Sequence, residues 1–165
     1  MRRNRPDRLL AHQLLLLTGA RKSELLHAQW QHVDLKERSW LIPMSKTGKA
    51  RHVPLSQDAV EVISSLQRLP GCPYLVPNLE TGQPFRDIKK AWDTVRRDAC
   101  LPGVRIHDLR HAAASFMINA GVDLYAVGRV LGHADHKSTM RYSHLADGTL
   151  LAAVEAGAAG MAPNV

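Results

Sequence analysis

Strand-like patterning in this chain is confined to one stretch. Only "HVDL" (residues 32–35), "SWLIP" (39–43) and "MSKTGKARHVPL" (44–55) read as strands, and they follow one another closely. The last reads as a hairpin with Thr47-Gly48 at its turn. Nothing elsewhere alternates strand with helix, which excludes a doubly wound parallel sheet. The sequence predicts a mainly α (α+β) fold, a helical domain with a small antiparallel β-sheet near the N-terminus.

Helix signals fill the remainder. Pro6 and Asp7 open a helix that runs to about Leu17 and stops at Thr18-Gly19, and "RKSELLHAQ" starts another at once. Ser56 is placed to cap a helix reaching about Leu66. "LPGCPYLVPNLETGQP" is a loop by its proline and glycine content. Further helices are expected over Arg86–Cys100, His107–Ala120, Leu124–Leu131 and His136–Leu145, with a short one in "GTLLAAVEAG" before a frayed end.

The 165 residues amount to one domain. Lys and Arg number 22 against 15 Asp and Glu, a net charge of +7. Such a surface attracts polyanions, nucleic acid first, although a basic surface also serves solubility alone. The two cysteines, Cys72 and Cys100, make no disulfide framework and suit a reducing, cytoplasmic setting. The longest aliphatic run, Leu14–Leu17, falls far short of the ~18 apolar residues of a membrane span. The opening "MRRNRPDRLLAHQ" lacks the apolar stretch of a signal peptide.

Polar chemistry concentrates in the back half. With His107 at a helix start, Arg110 and His111 fall three and four residues on, along one face. A helix N-terminus with such heads suits a phosphate. Ala113, Phe116, Met117 and Ala120 fall on another face, expected to pack on the core. A solvated polar face is the plainer account. A metal is a third: His107, Asp108 and His111, or His133, Asp135 and His136, are ligand types, but adjacent residues on a helix point apart. Tyr142 stands nine residues past His133. Its phenol is a poor nucleophile until its proton is taken or its anion stabilised, and nearby imidazoles and cations do both. In the front half, Arg21 follows the Thr-Gly turn with Glu24 three residues on, placed to hold its guanidinium still. Lys46 precedes the hairpin turn and Lys49 and Arg51 follow it.

Taken together, "TGARKSE", "SKTGKARHVPL", "HDLRH", "LGH" and "MRYSHL" resemble the motifs of the tyrosine recombinase (phage integrase) family catalytic domain. The spacing agrees, with 23 residues from Arg110 to His133, and the resemblance runs from about Leu9 to Leu145. It implies six catalytic residues. Tyr142 attacks a DNA phosphate and joins its 3′ end. Arg21 and Arg110 clamp the nonbridging oxygens, and His133 donates to the same phosphate. His107 assists proton transfer, and Lys46 protonates the departing 5′ oxygen. Glu24 orients Arg21, and His111 and His144 support or pack. No cofactor and no metal are implied, because fixed cations carry the transition-state charge and the phosphotyrosine conserves the bond's energy.

The implied partners are double-stranded DNA and other protomers of the same protein, a tetramer in the synapse. Lys49, Arg51, Arg86, Lys89 and Lys90 are candidate DNA contacts. Arg86, Lys89, Lys90, Arg96 and Arg97 are expected on one face opposite Ile88, Trp92, Val95 and Ala99. Residues 1–147 form the expected catalytic domain. Residues 148–165 form a tail for exchange between protomers, and the N-terminal core-binding domain of such enzymes is expected to be absent. A type IB topoisomerase-like nicking-closing enzyme shares this chemistry, and a non-catalytic DNA-binding relic is the alternative outside catalysis.

Overall fold

The computed structural model describes residues 5–43, 50–133, 137–145 and 154–155. The Thr47-Gly48 turn and nearly all of the expected tail lie outside them. Helix α1 (Arg5–Thr18) runs through the middle of the molecule and is packed by three later helices: α3 (Gln57–Ser64), α4 (Lys89–Asp98) and α5 (Asp108–Asn119). Its inner face is aliphatic, with Ala11, Leu14 and Leu15 all but sealed from solvent. A one-turn helix, α2 (Lys22–Leu26), follows and buries Leu25 and Leu26.

The sheet comprises β1 (Val33–Asp34), β2 (Ser39–Ile42) and β3 (Arg51–Pro54), antiparallel in the order β1-β2-β3. The register pairs Trp40 with Val53 and Ile42 with Arg51. Those residues share one face, and Trp40, Ile42 and Val53 are buried there. Ser56 caps α3, its hydroxyl accepting from the Ala59 N–H at 3.2 Å. Helix α4 begins at Lys89, not Arg86, because the Asp87 carboxylate accepts from the Lys89 N–H and from Lys22 Nζ and so ends the loop there. Ile88 and Trp92 are buried, while Arg86, Lys89, Lys90 and Arg97 are exposed.

The C-terminal part builds a second, smaller core. Ala114 and Ile118 of α5 meet Val127 and Leu131 of α6 (Leu124–Leu131), and the ring of Tyr142 completes the cluster. Two expectations fail here. Phe116 is 66% exposed and Ala120 is exposed, because α5 turns its small residues Ala113 and Ala114 and its Ile118 inward instead. The helix expected over His136–Leu145 is α7 (Lys137–Met140), then a turn, then a 3₁₀ turn at Ser143–Leu145. The break lets Tyr142 turn into the α5–α6 cluster, a tertiary contact that outweighs local helix propensity. Among the described residues no helix is long and apolar enough to cross a membrane.

Candidate active site

The site assembles at the end of α6. The last carbonyls of a helix lack intrahelical partners and carry the negative end of its dipole. Here three successive ones each accept from a different guanidinium. Arg51 Nη1 reaches Val130 O at 2.8 Å, Arg110 Nη2 reaches Leu131 O at 2.8 Å, and Arg21 Nη2 reaches Gly132 O at 3.2 Å. These arginines come from β3, α5 and the N-cap of α2. The next residue is His133. Gly132 makes the turn possible: its φ of +68° is left-handed, and a Cβ there would lie 2.4 Å from Arg51 Cδ.

The Thr18-Gly19 turn supplies a second anchor for Arg110. Gly19 has φ +62°, and its carbonyl accepts from Arg110 Nη1 at 2.6 Å. Arg21 follows at the start of α2. The Glu24 carboxylate accepts from the Arg21 N–H and guanidinium, both at 2.8 Å, and from Arg51 Nη2 at 2.7 Å. Glu24 thus holds Arg21, as expected, and a second arginine besides. Burial pushes its pKa up, but the Arg21 N–H and the charges of Arg51 and Arg21 outweigh this and leave it below the ordinary value.

Three guanidiniums therefore surround one carboxylate. Burial first, and then the charges of Arg21 and Arg51, push the Arg110 pKa down to about 10, with Glu24 and Tyr142 opposing. Arg110 stays charged at neutral pH, in a pocket with excess positive charge. That is the electrostatics of an anion site. Each guanidinium has five N–H donors, so two protein bonds leave others for a ligand.

Tyr142 is 6% exposed, and its Oη lies 2.5 Å from His111 Nδ1. Burial raises the phenol's pKa, with Arg141 and Arg110 opposing. Burial and the charge of Arg141 lower that of His111. The imidazole is therefore neutral at neutral pH, and in the tautomer protonated at Nε2 its Nδ1 accepts the phenol's hydrogen bond. His107, at the N-cap of α5, is exposed and meets His111 edge-on, with ring centroids 5.0 Å apart. His111 touches the phenol; the i, i+4 spacing from His107 places it on the polar face, and the spacing alone does not show which of the two imidazoles meets Tyr142.

The structure adds Thr139, which the sequence reading passed over. It is 3% exposed, and its Oγ1 lies 2.7 Å from His133 Nδ1. When the hydroxyl donates to Nδ1, the other ring nitrogen carries the proton and becomes the donor. Gly128 makes room, since a Cβ there would come within 2.8 Å of that oxygen.

Arg51, a candidate DNA contact, has a side chain 11% exposed and bonded to Glu24 and to α6. Strand alternation places it on the inward face with Val53 and Leu55, a signal already present in "RHVPL". Lys46 and Lys49 lie outside the described residues. Arg86, Lys89 and Lys90 stand on the surface, whereas Arg96 pairs with Asp93 and bonds the Pro102 carbonyl. Among the described residues no three metal-ligating side chains gather; Asp135 and His136 lie outside them.

The family model described as "Phage integrase family" matches residues 4–149. Tyrosine recombinase XerC of Erythrobacter litoralis is 35% identical over 156 residues, 90% of this chain and 50% of that protein. XerC of Staphylococcus saprophyticus is 32% identical over 148 residues, covering 84% and 49%. The catalytic domain of bacteriophage HP1 integrase superposes with a TM-score of 0.66 at 28% identity, over 88% of this chain and 79% of that one. The chain belongs to the phage integrase family, that of the tyrosine recombinases. It spans about half the length of the curated relatives it matches.

Proposed function

We propose that the chain is the catalytic domain of a site-specific DNA recombinase that cuts and rejoins duplex DNA through a 3′-phosphotyrosine. The observation that carries this reading is the gathering of Arg21, Arg110 and His133 at the end of α6, with the phenol of Tyr142 hydrogen-bonded to an imidazole beside them.

Tyr142 Oη attacks phosphorus while its proton passes to His111 Nδ1. The bond to the 5′ oxygen breaks, and that oxygen takes a proton from Lys46. Arg21 and Arg110 hold the nonbridging oxygens, and His133 donates from the nitrogen opposite Thr139. Guanidiniums fixed by protein carbonyls meet the spread negative charge without reorganising. The number of phosphoester bonds is unchanged, so the 5′ hydroxyl of a second strand reverses the step with no external energy source. Exchange of strands needs further protomers on paired sites, with the segment after Asp147 passing between them, and the chain acts on cytoplasmic, nucleoid DNA. Exposed Arg86, Lys89 and Lys90 contact backbone phosphates away from the cut.

The test uses duplexes with a randomised central segment and a nick close to the cut, so that the short 5′-hydroxyl fragment diffuses away. A covalent protein–DNA adduct is expected, absent for Tyr142→Phe, and sequencing the trapped strands reads out the site. Cleaved strands without an adduct, or an adduct that survives Tyr142→Phe, overturn the proposal.

A further inference from the structure

We infer that Arg51 is a positioning residue that locks the lysine-bearing hairpin to the phosphate clamp, holding Arg21 and His133 in place through Glu24 and the end of α6. The inference rests on the recombinase reading above and adds to it a residue that touches no DNA.

Arg51 opens β3, five residues after Lys46, and pairs in register with Ile42. Its guanidinium divides between two elements. Nη2 donates to Glu24 Oε2 at 2.7 Å, and Nη1 donates to Val130 O at 2.8 Å. Its stem lies across the bare face of Gly132, where a Cβ would meet Cδ and Nε at 2.4 Å and Cζ at 3.0 Å. One side chain thus bridges the hairpin base, the carboxylate that holds Arg21, and the turn that delivers His133.

The arrangement is not one that stability alone selects. Arg51 is buried beside a second guanidinium, Arg21, and a third, Arg110, lies near enough to feel its charge, with one carboxylate among them. Desolvation of a buried ion commonly exceeds what its partner returns. Its geometry gives it a task that lysine cannot perform, because two nitrogens of a planar fork point at two acceptors. Without that fork, one side chain no longer holds both Glu24 and Val130 O, and Glu24 draws more strongly on Arg21, away from an incoming phosphate. The 130–133 turn also loses its cover. A displacement of about 1 Å of a catalytic group costs about 100-fold in rate.

The test measures adduct formation under single-turnover conditions at saturating nicked duplex, with DNA affinity and melting temperature measured alongside. Arg51→Lys keeps the charge and loses the fork. It is expected to form adduct about 100-fold more slowly than the unaltered chain, with affinity and melting temperature little changed. A methylphosphonate at the scissile position removes the charge that the clamp must hold, so on that duplex the deficit should shrink. Arg51→Lys at the unaltered rate overturns the inference. So does a deficit equally large on the methylphosphonate and accompanied by a lowered melting temperature, because Arg51 is then only a packing residue. Should the unaltered chain form no adduct at all, the recombinase reading fails, and that outcome is distinct from either of these.

Discussion

His111 Nδ1 and Tyr142 Oη lie 2.5 Å apart, an imidazole of lowered pKa against a phenol of raised pKa. Both shifts come first from burial and favour the neutral pair, which is the starting state for transferring the phenol's proton. His111→Ala should slow adduct formation by about 10²–10⁴-fold, the usual worth of a positioned base. The rate should fall on the acid side as His111 protonates, in a limb below its ordinary 6.5. The groups facing His111 are His107, Arg110, Arg105, Asp108 and Arg141. His111→Gln keeps an acceptor without titrating, so its rate profile should lose that limb. An unchanged profile would transfer the role elsewhere.

The same two histidines set a stability effect. His107 and His111 both have folded-state pKa values below the ordinary 6.5. Between that value and their lowered ones the unfolded chain binds more protons, so stability rises with pH and is lost on acidification. The melting temperature should fall from pH 7 toward pH 5, and fall less for His111→Gln. Asp108 acts in another window. Arg105 holds its pKa at about 2, so its contribution is present above its ordinary 3.8 and disappears only as pH approaches 2.

How much of this was legible in the chain differs from element to element. Helix α6 was bounded correctly because both ends are written in local chemistry: Asp123 caps the N-terminus and Gly132 takes the left-handed turn at the other. The sheet followed from three adjacent strand-like runs. Phe116 misled because helical periodicity gives a face, not the element that covers it, and the alanines of α5 were better suited to burial. The break before Tyr142 has no local signal, since it exists to bring a ring onto α5 and α6. Of the residues picked out by motif, Arg21 and Arg110 meet at the end of α6 next to His133, while Lys46 lies outside the described residues. The bonds of Arg51 to Glu24 and Val130 follow from its strand register, which its charge alone does not show, and the role of Thr139 depends on a residue six positions away in another element.

The excess positive charge around Glu24 predicts anion binding without DNA. Inorganic phosphate, against chloride at equal ionic strength, should raise the melting temperature. The stabilisation should approach about 2.7 kcal/mol at 100 times its dissociation constant. Arg110→Gln should remove most of that response. A phosphate response that survives in the variant would place the anion elsewhere.

Gly19 should tolerate no side chain. Its φ of +62° is costly for alanine, by about 1–2 kcal/mol. Its Cβ would come within 2.6 Å of Leu131 Cδ2, an overpacking worth about 1–3 kcal/mol. Because the Gly19 carbonyl also anchors Arg110, Gly19→Ala should lower both stability in denaturant unfolding and the rate of adduct formation.

Thr139 separates packing from proton placement. Thr139→Val keeps the shape of the side chain and removes only the hydroxyl that meets His133 Nδ1. The buried cavity stays filled, so the stability loss should be near the ordinary worth of one hydrogen bond, about 1 kcal/mol. Without that partner, Nδ1 no longer meets a hydroxyl that favours the proton on the other ring nitrogen, and the donor facing the phosphate is weakened. Adduct formation should therefore fall by about 10–100-fold, while Thr139→Ser, which keeps the hydroxyl, should stay close to the unaltered rate. Equal rates for the valine and serine variants would show that Thr139 serves only to seat α7 against Gly128.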